Sequence, residues 1–254
     1  MNNKLIVGQS KDYISQLQLP DIDRKRVKVY DAHARAFQDD EKGGAVAAGS
    51  MVSFVSGLTA LHKSDCLNST LLAQLAANKQ FNRYTQTRQW YDFYISVLAN
   101  VGWVVPAFAY RDYAPSGDSL VLSDAVLDIL AAIATGDEIL IMTAALESLR
   151  DKDGNEKALK LFDHESFPES FGTFQVLPVG EDDGQLVMAL SALEFSADKH
   201  VTRFLWFTWQ STRVKLFQSS QKAVLNEEIY GQVRQEVIKK LGDRAAQFII
   251  DIEL

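Results

Sequence analysis

The sequence predicts an α/β fold, with helices packed on a mixed or largely antiparallel sheet, and three observations carry that reading. Helix-spaced apolar stripes recur between residues 65 and 150, and consecutive extended segments fill 174–219. The third is the 47% hydrophobic content over 254 residues. At this length roughly 70–75% of the extended-chain surface can be buried, which suits one large domain or two small ones.

In chain order, the first 40 residues read as a helical preamble. Ile22, Tyr30, Ala34 and Phe37 fall on one helical face, and Pro20 followed by Asp21 suits a helix start. The basic run Arg24, Lys25, Arg26 and Lys28 is interleaved with Asp21, Asp23 and Asp31. That mixture reads as a solvated face rather than a lipid or nucleic-acid contact. Residues 39–49 (DDEKGGAVAAG) contain paired glycines and no large apolar side chain, and read as a linker or flexible loop. The domain division expected is therefore a helical N-terminal extension with linker over 1–44 and a single α/β domain over 45–254.

Residues 50–58 (SMVSFVSGL) read as a buried strand. Two helices are predicted next, over 65–79 with Ser64 or Asp65 as N-cap, and over 86–101 ending before Gly102. Residues 103–113 read as a strand placed near an edge by Pro106, and 119–122 as a short strand leading to helices near 124–134 and 137–150. A helix over 156–163 precedes four extended candidates at 174–179, 185–195, 201–210 and 212–219. The turn clusters GEDDG and SADKH make these consecutive antiparallel strands. A last helix over 226–241 ends before Gly242, and QFIIDIEL can close the sheet as a final strand.

Charge and cysteine usage exclude several classes. With 33 acidic against 26 basic residues the net charge is −7, which argues against a nucleic-acid-binding surface spanning the molecule, and no nucleic-acid partner is expected. The lone Cys66 excludes an intramolecular disulfide and leaves a structural zinc site without its usual ligands. The N-terminus lacks the apolar run of a secretory signal, so a cytoplasmic location is the expectation, with release or peripheral membrane association left open. No stretch approaches the roughly 20 apolar residues of a spanning helix.

Motifs for common chemistries are absent. There is no phosphate-binding G-x-x-x-x-G-K-[ST] loop, G-x-G-x-x-G, G-x-S-x-G or H-E-x-x-H, and His33, His62, His164 and His200 lie far apart. No catalytic or metal residue is assigned. Asp151, Asp153 and Asn155 imitate the start of a calcium loop, but Glu156 and Phe162 occupy the positions that need Gly and a bidentate carboxylate, so the segment reads as a turn.

Two features invite a ligand reading. Phe204, Trp206, Phe207 and Trp209 fall within six residues, and strand alternation leaves neither face polar. Such a strand is covered on both sides, or lines a pocket for a long apolar ligand or acyl chain. Cys66, placed near a helix start, is either an inert buried thiol or a group that the helix dipole makes nucleophilic, oxidisable or open to S-acylation, with His62 as a weak partner.

The blocks SMVSFVSGLTA (50–60), DCLNSTLLAQLAANKQFNR (65–83), WYDFYISVLANVGWVV (90–105) and FLWFTWQS (204–211) resemble those of the Evf-type virulence factors, bacterial proteins of insect hosts with fungal and other microbial relatives. The resemblance covers about residue 45 onward. It implies an α/β fold with internal pseudo-symmetry, no established enzymatic activity, a role in persistence or toxicity in a host, and a fatty-acyl chain thioester-linked to a cysteine and tied to membrane targeting. In that family the acylated cysteine lies in the later, strand-rich half, whereas the only cysteine here is Cys66. Acylation therefore stands as a separate hypothesis for Cys66. The expectation is a non-enzymatic, toxin-like factor that takes a palmitoyl-like ligand through Cys66, Phe204, Trp206, Phe207 and Trp209 or binds a membrane surface. The alternatives are a hydrolase with an unrecognised cysteine- or carboxylate-based site and a pore-forming or protein-binding module.

Overall fold

A computed structural model describes residues 3–22, 37–106, 110–115, 117–151 and 153–254. The basic run 24–28 and the helical face carried by Tyr30 and Ala34 lie outside them. In chain order the elements are α1 (Asn3–Gln16), β1 (Gly43–Ala47), β2 (Ser50–Phe54), α2 (Ala60–Gln80), α3 (Thr87–Asn100), β3 (Trp103–Val104), β4 (Arg111–Tyr113) and β5 (Ser119–Val121). They continue with α4 (Leu122–Leu130), α5 (Gly136–Asp151), α6 (Glu156–Ser166), β6 (Phe171–Asp182), β7 (Gln185–Ala197), β8 (Thr208–Gln210), β9 (Val214–Leu225), α7 (Glu227–Leu241), α8 (Arg244–Phe248) and β10 (Ile249–Ile252).

The mixed α/β architecture is the one the apolar patterning predicts. One sheet runs β10-β1-β2-β6-β7-β9-β3, with β4 also on β9, and β5 pairs with β8 apart from it. Every pairing in the large sheet is antiparallel except β2 with β6, which joins Ser50 to Gln175 in parallel register. Such a parallel pair needs a long crossover, and here α2 through α6 provide it.

The sheet has helices on both faces. Leu177, Val179, Met188 and Leu190 share a core with α1, α2, α3 and α7, while Val176, Ala189, Leu193 and Phe195 share a second core with α4, α5 and α6. Alternate side chains of each central strand thus enter opposite cores. This is why β6 and β7 read as almost unbroken apolar runs.

Several predictions change. Residues 43–47, expected within a loop, form the fully buried strand β1. Small residues serve there because β1 lies between β2 and β10, and Cβ atoms added to Gly43 and Gly44 would meet Phe37 and Ile252. Helix α2 starts at Ala60 rather than 65, capped by Thr59, whose hydroxyl accepts the His62 N–H at 3.1 Å. Residues 201–210 are not one strand: Phe204–Trp206 form a 3-10 turn before the three-residue β8. The 103–113 strand is only β3 and β4 among the described residues.

Other local signals hold. Gly102 has φ +112, the positive value expected after a helix, and Asn226 caps α7 by accepting the Ile229 N–H. The charged turn between β6 and β7 places Asp183 and Gly184 at φ +50 and +75, the two-residue hairpin geometry that Asp-Gly supplies.

Candidate functional site

The structure separates the sequence-predicted site residues into three environments. Cys66 is fully buried against the α2–α3–α7 side of the sheet. Phe204 and Trp209 are buried on the opposite side, and Trp206 and Phe207 sit half-buried at that core's margin. Cys66 and the aromatic group therefore lie on opposite faces of the sheet and do not form one site.

Cys66 is the seventh residue of α2, beyond the first turn, where the helix dipole gives a thiolate little help. Its Sγ lies 3.9 Å from Met188 Sδ, and burial pushes the thiol well above its usual range. The geometry is that of a small apolar side chain. His62 makes no hydrogen bond to it and pairs instead with Glu227, its Nε2 3.3 Å from that carboxylate. One residue before Cys66, the two carboxylate oxygens of buried Asp65 accept from Arg234 Nε and Nη2 at 2.8 and 2.7 Å, tying α2 to α7.

Phe204 stacks on Phe195 and Phe162, with centroids 5.2 and 5.8 Å apart, and Phe167 and Phe174 approach it edge-on or tilted. The Trp209 indole donates to the Phe204 carbonyl at 3.2 Å, closing the 3-10 turn. These two rings build the core. Trp206 and Phe207 are different: they stay partly open to solvent, and the Lys199 ammonium lies 4.5 Å above the Phe207 ring.

The segment from Asp198 to Arg213 carries Lys199, Arg203 and Arg213, all exposed, against Asp198, in a chain whose net charge is −7. Arg213 pairs with Asp198 at 3.0 Å, and the Arg203 backbone N–H donates to Asp163 at 2.7 Å. Arg203 adopts φ +55, a left-handed conformation for a non-glycine residue, at the start of the 3-10 turn. The result is a lobe anchored by Phe204 and Trp209, with cations and two half-exposed rings outside.

Sequence reasoning missed two buried cations. Lys63 is fully buried and donates to the Gln38 and Glu41 carbonyls, both at 2.6 Å; desolvation lowers its pKa. Arg83, 5% exposed, donates to Gln175 Oε1 at 2.8 Å and lies 4.6 Å over the Trp90 ring. Charged residues at a helix or in a loop normally read as solvated, so no local signal marks them. Among the described residues no group of three or more His, Cys, Asp or Glu could hold a metal ion. No described helix is long and apolar enough to cross a membrane.

No protein-family profile and no curated protein matches the chain. Among solved structures, one named delta-endotoxin is 10% identical with a TM-score of 0.40, covering 71% of this chain and 84% of that one. A structure of the Evf virulence factor is 11% identical with a TM-score of 0.38, covering 84% of this chain and 88% of that one. Both likenesses are distant and say nothing of what this chain binds.

Proposed function

We propose that this protein is a non-enzymatic, toxin-like factor that works by binding an anionic membrane surface through the 198–213 lobe. The observation that carries the reading is the half-exposed pair Trp206 and Phe207 beside Lys199, Arg203 and Arg213 in an otherwise acidic chain. Aromatic rings favour the boundary between headgroups and acyl chains, and each cation near an anionic leaflet contributes about 1 kcal/mol. Binding by so few groups is weak, reversible and sensitive to salt. The host-directed role is supported by the resemblance of blocks 50–60, 65–83, 90–105 and 204–211 to the Evf-type factors.

Cosedimentation with vesicles of phosphatidylserine and phosphatidylcholine tests it. The protein should pellet with anionic vesicles at low salt and leave them at high salt. The double substitution Trp206→Ala with Phe207→Ala should weaken the association severalfold while the fold persists. Equal recovery with neutral and anionic vesicles, or no recovery with either, would overturn the reading.

A palmitoyl-like chain on Cys66 is the covalent form of the lipid reading. The closed surroundings of the thiol require Met188 to move before an acyl chain can fit. An intact mass equal to the bare 28.4 kDa chain would remove that form and leave the surface-binding form standing.

A further inference from the structure

On the α4 side of the sheet, the apolar surface gives way to a polar strip along β9. Tyr113 lies opposite Leu216 and Arg111 opposite Gln218, so Arg111, Tyr113 and Gln218 share the face on which Leu216 joins the second core. Ser220, two residues further along β9, falls on the same face opposite Ser191. Helix α4 and the turn after it wall this strip with Asp128, Ile129, Ala132 and Ile133, enclosing a groove of about 490 Å³.

The hydrogen bonds inside the groove are directional. Ser191 Oγ donates to Ser220 Oγ at 3.3 Å, and Ser220 donates to Gln218 Oε1 at 2.9 Å. That chain occupies the Gln218 oxygen and leaves its amide N–H groups to donate outward. The Tyr113 hydroxyl donates to Asp128 Oδ2 at 3.0 Å, which leaves the other carboxylate oxygen to accept. Among the described residues the Arg111 guanidinium makes no hydrogen bond or ion pair, so its donors also face the groove mouth or solvent. One cation balances one anion, and Ala132 and Ile133 supply an apolar strip alongside.

We propose that this groove binds a neutral oligosaccharide of two or three sugars. A sugar ring offers hydroxyls that both donate and accept around a face of C–H groups, which matches a site of mixed donors and acceptors bordered by apolar side chains. The balanced charge favours an uncharged ligand over a polyanion, whose carboxylates or phosphates would meet Asp128. The groove volume lies within the range of small-ligand sites. The site is separate from the 198–213 lobe and does not depend on membrane binding.

Saturation-transfer NMR with maltotriose, cellotriose, triacetylchitotriose and tri-galacturonic acid tests the proposal on the full chain. At least one of the three neutral sugars should bind in preference to the acidic one. Gln218→Ala should weaken that binding about tenfold, the scale of one or two lost hydrogen bonds. Ala132→Trp, made at an exposed position, should abolish sugar binding while leaving the melting transition and vesicle association unchanged. Binding of none of the neutral sugars, preference for tri-galacturonic acid, or binding indifferent to both substitutions would each overturn the proposal.

Discussion

Gly49 illustrates how one side chain dictates another. A Cβ there would collide with the Arg83 guanidinium, which is wedged between the β1–β2 turn and Trp90. Arg83 donates to Gln175, and Gln175 donates to Tyr91 and accepts from Ser50, so the displaced group would disturb a connected buried network. Gly49→Ala is expected to destabilise the fold by about 1–3 kcal/mol, measured by chemical denaturation. Cys66 supplies a second prediction at this scale. Its thiol, buried and held in the neutral form, should resist iodoacetamide in the native protein and react once denaturant unfolds it. Rapid native alkylation would show that the surrounding core opens.

At the scale of elements, side chains finish what the backbone leaves open. Strand β10 lies at one edge of the sheet, and Asn155, just before α6, covers the end of that edge through the residue that follows β10: its amide donates to the Glu253 carbonyl at 3.1 Å and its oxygen accepts the Glu253 N–H at 2.9 Å. An asparagine here imitates one step of a strand ladder and masks an edge open to intermolecular pairing. Asn155→Ala should cost about 1–3 kcal/mol and raise the tendency to aggregate, readable by thermal melts and light scattering. Asn226→Ala removes the α7 cap and should cost about 1 kcal/mol in the same melts.

These elements differ in how plainly the sequence announced them. Helices α3 and α7 and the β6–β7 hairpin were legible because stripe, cap and turn residues lie within a few positions of one another. Strand β1 was not, since its small residues are suited to neighbours that arrive from Ile249–Ile252 and Ser50–Phe54. The 201–210 segment, expected as one strand, departs from that expectation for a related reason. Its aromatic density reflects burial, and burial alone does not separate an extended segment from a 3-10 turn. In the lobe, the cations and Trp206 were visible as residue types, while their half-exposure depended on which rings the core absorbed.

For the molecule as a whole, several carboxylates are buried enough to titrate unusually. Desolvation raises the pKa values of Asp65, Asp163 and Glu194, against partial compensation by Arg234, the Arg203 N–H and Arg88 respectively. A carboxyl group with a raised folded-state pKa binds more protons folded than unfolded in the window between the two values. Stability from these groups therefore falls as pH rises through the window just above the ordinary carboxylate range. Below that range Asp151 and Glu236, whose pKa values are lowered by Arg150 and Lys11, act in the opposite direction. The melting temperature should peak on the acid side of neutrality, and Asp163→Asn should flatten its rise from neutral pH toward that peak. A melting temperature that falls steadily as pH drops below 7 would show that other groups dominate.

By itself the sequence determined the α/β class, the helical stripes, the hairpin at Asp183–Gly184 and the impossibility of an intramolecular disulfide, because each follows from spacing or composition within a short window. Tertiary structure alone decided that Cys66 and the aromatic group face away from each other across the sheet, that Lys63 and Arg83 are buried, and that Arg111, Gln218 and Asp128 line one groove. Those outcomes depend on pairings between distant segments, such as Ser50 with Gln175 and Arg111 with Gln218. Register across a sheet assigns every side chain to one face or the other, and a single-residue slip would exchange them, so local periodicity cannot fix what a residue meets.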